Sequence, residues 1–182
     1  MGTRNLTCVQ VDGQYKIAQY GQWDGYPSGQ GTDLLQILRE VNLDRLKEAS
    51  RNCRFLNKEE LEALDSTDWM KTHPQLSRDH AAKIVKLVYE KDGLVLQNQV
   101  DFAADSLFCE WAYVVDLDKN VLEVYKGFNQ DTPPTESDRF FFLKEKCDPK
   151  YNPVKLAATF DLNHLPDDEQ FLEHFKDPDE EE

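Results

Sequence analysis

The chain has 182 residues and a net charge of −14, and 40% of its residues are hydrophobic. This length and composition suit one soluble domain with a sizeable core, and no apolar run reaches the roughly 20 residues of a membrane-spanning helix. No apolar signal-peptide core follows the first residues. Contacts of lysine and arginine to phosphates dominate nucleic-acid affinity, so the negative net charge argues against nucleic acid as a partner. The same charge, together with the lack of a membrane-spanning apolar run, argues against a membrane partner.

Two strands are predicted at the N-terminus, over Arg4 to Val11 and Gln14 to Tyr20, because apolar and polar residues alternate there. Asp12-Gly13 lies between them. This dipeptide is a strong signal for a hairpin, since a type I′ turn needs positive φ at both central positions.

Helices are predicted next. Thr32 or Asp33 caps the first one, and an apolar stripe from Leu34 to Val41 follows at helical spacing. Asn42 interrupts this stripe before a further helical stretch. Asn57 begins a short helix with Glu60 placed as in a capping box, and Ser77 to Lys91 is the clearest helical segment.

The periodicity changes after Gly93. Strands are predicted in the five segments Leu94–Gln97, Phe108–Leu117, Val121–Lys126, Arg139–Leu143 and Val154–Leu162. The turn Asp118-Lys119-Asn120 joins the second and third of these as another hairpin. Asp131 to Asp138, with two prolines, is predicted as an exposed loop, and Asp167 to Phe175 as a terminal helix.

The element order predicts an α+β fold. A single domain over residues 1–176 would contain a mainly antiparallel sheet, with helices inserted between the N-terminal hairpin and the later strands, and an αββα layering is compatible with this order. Residues 166–182 hold nine acidic residues against one lysine. Residues 177–182 are therefore predicted to be a disordered acidic tail.

Cysteines and histidines give little functional signal. The four cysteines contain no Cys-x-x-Cys pair, which favours reduced thiols and a cytoplasmic location. The four histidines lack the spacing of metal ligands, so we expect neither a metal nor a cofactor.

The segment from Gln19 to Asp33 is the best candidate for a site. It combines four glycines, three aromatic residues, a proline and the carboxylate of Asp24 between a predicted strand and a predicted helix. Gly29 and Gly31 do not complete a dinucleotide fingerprint, because Leu34 stands where the third glycine belongs, and no lysine completes a phosphate loop. Two interpretations stay open: a ligand site, or a structural loop whose aromatic residues close the end of the sheet.

The same residues carry a resemblance. Thr3-Arg4, the Asp12-Gly13 hairpin and the motif Trp23-Asp24-Gly25-Tyr26-Pro27 with Gly29-x-Gly31 resemble a family of small uncharacterised proteins of microbes and phages. Residues 111–118 and 122–128 are similar to the second hairpin of that family. The resemblance covers most of the folded body, but it implies no established activity.

A second resemblance is architectural. The order of a first hairpin, helices and later strands is similar to that of N-terminal-nucleophile hydrolases, and Thr3 lies at the start of the first predicted strand. Such enzymes use the free α-amine of the nucleophile as a base. Removal of the initiator methionine would expose Gly2, so Thr3 would need a further cleavage to act.

The favoured function is binding of a small-molecule or peptide-like ligand over the loop from Trp23 to Gly31. Trp23 and Tyr26 would supply apolar walls, Asp24 a polar anchor, and the backbone amides near Gly29 to Asp33, including those of Gly31 and Thr32, an anion seat at a helix N-terminus. Arg4 is predicted at the same end of the sheet. The alternatives are hydrolysis by Thr3 and a non-catalytic interaction or scaffold role. Paired carboxylates from Asp24, Glu110 and Asp116 are a further hypothesis, which requires the two hairpins to be neighbours.

Overall fold

The computed structural model describes residues 2–176. The acidic tail predicted for residues 177–182 lies outside the described residues. The strands are β1 (Asn5–Val11), β2 (Gln14–Gly21), β3 (Arg54–Phe55), β4 (Val95–Leu96), β5 (Trp111–Asp116), β6 (Val121–Lys126) and β7 (Lys155–Asp161). The α-helices are α1 (Thr32–Glu40), α2 (Leu43–Arg51), α3 (Lys58–Leu64), α4 (Trp69–Thr72), α5 (Ile84–Lys91) and α6 (Asp168–Glu173). A π-helical turn spans Pro27–Gly31, and 3₁₀ turns span Pro74–Leu76, Ala81–Lys83, Val100–Ala104 and Phe141–Lys146.

Five strands form the main sheet, in the order β2-β1-β5-β6-β7. Three of the four pairings are antiparallel, and β1 pairs with β5 in parallel. The predicted α+β fold with a mainly antiparallel sheet is therefore confirmed. An αββα layering would need two extended sheets, whereas the other sheet of the described residues contains only the two short strands β3 and β4.

Both predicted hairpins form. Asp12 and Gly13 have φ values of 55° and 73°, which a type I′ turn requires. Their backbone N–H groups donate to the two carboxylate oxygens of Asp118, at 2.8 and 2.9 Å. The turn of the first hairpin is thus tied to the turn between β5 and β6, where Asn120 also has positive φ.

The helix boundaries follow the capping residues. The Asn42 side chain accepts the N–H of Arg45 at 3.0 Å and separates α1 from α2. Asn57 and Glu60 form the predicted capping box at the start of α3. These contacts satisfy N–H groups that have no partner within the helix.

The core lies on both faces of the sheet, because successive residues of β1 and β5 point to opposite sides. On one face, Val9 and Tyr113 pack with buried residues of α1, α2 and α5. On the other face, Cys8 and Val114 pack with the 3₁₀ segments that contain Ala103 and Leu143. The sheet is thereby covered by helices on one side and by short turns and loops on the other.

Three predicted elements are corrected. The strand predicted over Arg139–Leu143 is wrong, because the 3₁₀ turn Phe141–Lys146 occupies its second half and Phe140 and Leu143 are buried three residues apart. The helix predicted over Ser77–Lys91 is shorter: Ala81 has a φ of 45°, a 3₁₀ turn follows, and α5 begins at Ile84. The strand predicted from Phe108 begins only at Trp111.

Candidate functional site

The loop from Trp23 to Gly31 is held by its own backbone. Gly25 N–H donates to the carbonyl of Thr3 at 3.0 Å, and Gln30 N–H donates to the carbonyl of Asp24 at 2.8 Å. The carbonyl of Tyr26 accepts from Gly29 and Gly31. The loop is therefore a closed turn that leads into α1.

Side chains of the sheet and of the loop itself add further support. Asn5 Nδ2 and Gln30 Nε2 both donate to the carbonyl of Trp23, at 3.3 Å each. Gln30 Oε1 accepts the N–H of Ala82 at 3.0 Å, which links the loop to the turn before α5. The buried hydroxyl of Tyr113 donates to the carbonyl of Gly25. These contacts fix the loop on the end of the main sheet.

Three glycines of the loop allow close packing within the protein. A Cβ atom on Gly29 would lie 2.3 Å from the carbonyl oxygen of Asp24, and one on Gly25 would lie 2.6 Å from that of Thr3. A Cβ on Gly31 would press against the rings of Phe171 and Tyr113 at 3.1 and 3.2 Å. These glycines therefore serve contacts inside the chain.

Three side chains of this fixed loop point to solvent. Trp23 and Tyr26 are 50% and 53% exposed, and Asp24 is exposed between them. Across residues 2–176, no hydrogen bond or ion pair reaches the Asp24 carboxylate. Trp23, Asp24 and Tyr26 are called the platform below.

Arg4 lies at the same end of the sheet but meets a different loop. Its guanidinium carbon is 5.1 Å from the centre of the half-exposed Phe108 ring, a cation–π distance. Its carbonyl accepts the N–H of Glu110 at 3.1 Å. Since the carbonyl of Thr3 binds Gly25, consecutive residues of the chain anchor the two loops side by side.

The backbone amides do not form the predicted anion seat. The N–H groups of Gly29, Gln30, Gly31 and Thr32 all donate to backbone carbonyls. The hydroxyl of Thr32 donates to the carbonyls of Ser28 and Gly29. An anion at a helix N-terminus needs free N–H groups, and the π-helical turn uses them.

Thr3 is buried at the start of the first strand, with 6% of its surface exposed. Gly2 precedes it, and a Cβ atom there would lie 2.6 Å from the ring of Trp23. The nitrogen of Thr3 is an amide in this arrangement. Hydrolase chemistry requires a free α-amine at that position, so the Thr3 hypothesis stays a prediction.

The hypothesis of paired carboxylates is wrong for Asp116. The hairpins are neighbours, as it required, but Asp116 pairs in register with Gln10 while Asn5 pairs with Trp111. Asp24 lies at the Asn5 end, so the sheet separates Asp24 from Asp116. The partner of Asp116 is Arg139.

Arg139 forms the most buried charge cluster of the described residues, and the sequence analysis did not select it. Its side chain is 10% exposed, against 1% for Asp116 and 15% for Glu123. Arg139 Nη2 lies 2.6 Å from Asp116 Oδ2, Nε donates to Glu123 at 2.7 Å, and Nη1 donates to Gln10. No local motif could have revealed it, because its members come from separate strands and a loop.

The pKa values in this cluster follow from burial and charge. Burial alone would raise the pKa of Asp116, but hydrogen bonds from Arg139 and from the backbone of Lys119 outweigh it and lower the pKa. Burial acts to lower the pKa of Arg139, and the two carboxylates outweigh it and raise that pKa. Burial raises the pKa of Tyr15, beside Arg139, to about 12. The pair of Asp116 and Arg139 therefore stays charged near neutral pH.

The cysteines behave as core residues. All four are free thiols, Cys8 and Cys109 are fully buried in the core on the second face of the sheet, and Cys147 is partly buried. Burial raises the pKa of the Cys8 thiol to about 12, so it carries little thiolate at neutral pH. Within residues 2–176, no group of three or more His, Cys, Asp or Glu side chains is placed to hold a metal ion.

Comparisons with family models, curated proteins and solved structures find no match for the chain. No helix of the part of the chain that the structure describes is long and apolar enough to cross a bilayer. Functional inference therefore depends on the geometry of the molecule itself.

Proposed function

We propose that the protein binds a small or peptide-like ligand over the platform, by way of a positively charged group on that ligand. One observation carries the proposal. Two half-exposed aromatic rings flank a carboxylate without a partner among residues 2–176, on a loop that internal hydrogen bonds hold in place.

The chemistry of the three side chains favours a cation. The faces of tryptophan and tyrosine attract ammonium and guanidinium groups, by about 0.5–1 kcal/mol at exposed sites. Asp24 would add a charge-assisted hydrogen bond. The net charge of −14 draws cations toward the surface in general.

Several aromatic rings of the protein already have a cation over them, whereas in the described part of the chain the rings of the platform do not. Lys126 Nζ already lies 5.7 Å from the centre of the Trp111 ring, and Arg45 lies over Tyr89 at 4.5 Å. Within residues 2–176, no cation occupies the ring of Trp23 or Tyr26. The fixed backbone also reduces the entropy that binding must overcome.

An NMR titration tests the proposal. The indole N–H signals of the three tryptophans would be followed as choline or the amide of the peptide Gly-Lys-Gly is added, with acetate as the anionic control. We expect the Trp23 signal to shift with both cations and not with acetate. The signal of Trp111 serves as an internal control because Lys126 already covers its ring.

A matched pair of variants separates the platform from general charge attraction. Asp24→Asn should weaken binding of the peptide several-fold, whereas Asp131→Asn, which removes an exposed carboxylate outside the platform, should leave it unchanged. Equal weakening by both variants, or a Trp23 signal that moves with none of the probes, would overturn the proposal.

A further inference from the structure

A cavity lies at the opposite end of the sheet from the platform. Its volume is about 330 Å³. Gln10 and Asp116, which pair in register, mark this end, whereas Asn5 and Trp111 mark the platform end. The lining residues are Gln10, Gly13, Tyr15, Asp116, Lys119, Glu123, Ser137, Arg139 and Phe142.

The inner wall of this cavity is the Arg139 cluster. Arg139 Nη1 donates to Gln10, Nε donates to Glu123, and Nη2 lies against both Asp116 and Glu123, so the donors and acceptors of the wall have fixed directions. Burying a charged side chain away from water is costly unless an opposite charge pairs with it. Arg139 pairs in this way with Asp116 and Glu123, and part of this cluster still borders the cavity.

Capacity for further hydrogen bonds remains on this wall. Among residues 2–176, Glu123 Oε2 accepts a hydrogen bond only from the hydroxyl of Tyr125, at 3.3 Å, and a carboxylate oxygen can accept two. Across the described residues 2–176, no hydrogen bond or ion pair holds the ammonium group of Lys119. A ligand would therefore find both an acceptor and a donor.

The charges of the lining balance. The two negative charges of Asp116 and Glu123 are matched by the two positive charges of Arg139 and Lys119, so the lining has no net charge. The cavity as a whole therefore gives no net electrostatic attraction to a charged ligand. Seven of the nine lining residues carry polar side chains, which include donors, acceptors and hydroxyls that do both. A neutral ligand with several hydroxyl groups matches this mixture.

An aromatic edge completes the cavity. The ring of Phe142 is more than half exposed, and its centre lies 6.4 Å from that of Tyr15 at an angle of 36°. An exposed aromatic ring beside a polar wall can stack against the apolar C–H face of a ring-shaped ligand. The volume lies at the lower end of the roughly 300–1,000 Å³ of ligand pockets, which favours a small ligand.

We propose that this cavity is a binding site for a small neutral polyhydroxylated compound, of the size of one sugar ring. Glu123 and Gln10 would accept from its hydroxyls, Lys119 would donate, and Phe142 would cover its apolar face. This site is separate from the platform and does not depend on it.

Binding would be measured on the full chain by two-dimensional NMR with D-glucose and myo-inositol, and with inorganic phosphate and putrescine as charged probes. We expect a neutral probe to shift the backbone signals of Lys119, Ser137 and Phe142, and the charged probes to leave them in place. Phe142→Ala and Lys119→Ala should each weaken the response at least three-fold.

Phe128→Ala is the matched control, because Phe128 is also an exposed phenylalanine but lies outside this cavity. It should bind as the parent does, and thermal melts would establish that all variants are folded. Three results would overturn the proposal: no response to either neutral probe, a response to a charged probe alone, or equal weakening by Phe128→Ala and Phe142→Ala.

Discussion

The hydroxyl of Tyr113 donates a hydrogen bond of 2.7 Å to the carbonyl oxygen of Gly25, 88 residues earlier in the chain. Both groups are buried, and the bond joins the middle of β5 to the centre of the platform loop. The exposed rings of Trp23 and Tyr26 therefore stand on a backbone that the sheet itself supports. This support distinguishes the platform from an ordinary mobile surface loop.

Tyr113→Phe should lower the free energy of unfolding by about 1–2 kcal/mol, because the buried carbonyl of Gly25 loses its donor. Tyr26→Phe is the matched control, since that hydroxyl is half-exposed, and its change should stay within about 0.5 kcal/mol. Urea unfolding of both variants measures the difference. Equal stability of the two variants would mean that the Tyr113 bond does not support the loop.

Gly29→Ala should cost about 1–3 kcal/mol, because overpacking forces the backbone to move. The added Cβ would lie 2.3 Å from the carbonyl oxygen of Asp24, a backbone atom that cannot move aside alone. Ser28→Ala, at an exposed neighbouring position, should change stability by less than about 0.5 kcal/mol. If Gly29→Ala is neutral, the loop is less closely packed than the structure indicates.

Local signals in the sequence predicted much of the fold. Asp12-Gly13 specified its turn through φ, and Asn57 with Glu60 specified a helix start, since both effects act within four residues. The parallel pairing of β1 with β5 has no such local signal. The aromatic run after Arg139 looked like a strand, but burial of Phe140 and Leu143 on one side of a 3₁₀ turn outweighed that propensity.

The candidate site was predicted in part. The platform residues are consecutive or nearly so, and their unusual types marked the loop before the structure was known. The role of its glycines was not visible, because Gly29 and Gly31 are required by contacts with Asp24 and with Tyr113 and Phe171. The cavity beside Arg139 could not be predicted at all, since Gln10, Asp116 and Arg139 come together only in the folded protein.

Arg139→Met should lower the free energy of unfolding by about 3–5 kcal/mol, because it leaves two carboxylates buried without their partner. Arg54 is a matched control, since it also pairs with a carboxylate, that of Glu60, but at the surface. Arg54→Met should leave the free energy of unfolding nearly unchanged, because an exposed ion pair contributes little to stability. Equal losses in urea unfolding would show that the Arg139 cluster is as solvated as the surface pair.

Asp116 should contribute to the pH dependence of stability in the acid range. Its pKa in the folded protein lies below the ordinary value of 3.8, so its contribution is present above that value and is lost as the pH falls through the folded pKa. Asp116→Asn should therefore flatten the loss of stability as the pH falls below the ordinary carboxyl pKa of 3.8. Urea unfolding at several pH values measures the slope, with Asp24→Asn as the control. An unchanged slope in Asp116→Asn would contradict the prediction.

The last prediction concerns how Asp24 supports its loop. Asp24 has a φ of 56°, in the left-handed region, which Asn and Asp adopt more readily than other residues with a Cβ. Asp24→Asn removes the charge but keeps a residue that readily adopts positive φ, so the melting temperature of this variant should match that of the parent. Asp24→Ala introduces a residue that adopts positive φ less readily and should cost about 1 kcal/mol through backbone strain alone.

If the carboxylate instead held the loop amides as an Asx-turn, Asp24→Asn would also weaken the loop, since the amide oxygen of asparagine is a poorer acceptor than a charged oxygen. Thermal melts of the two variants separate these cases. A large fall for Asp24→Asn would assign the carboxylate to the loop and remove it from the proposed binding surface.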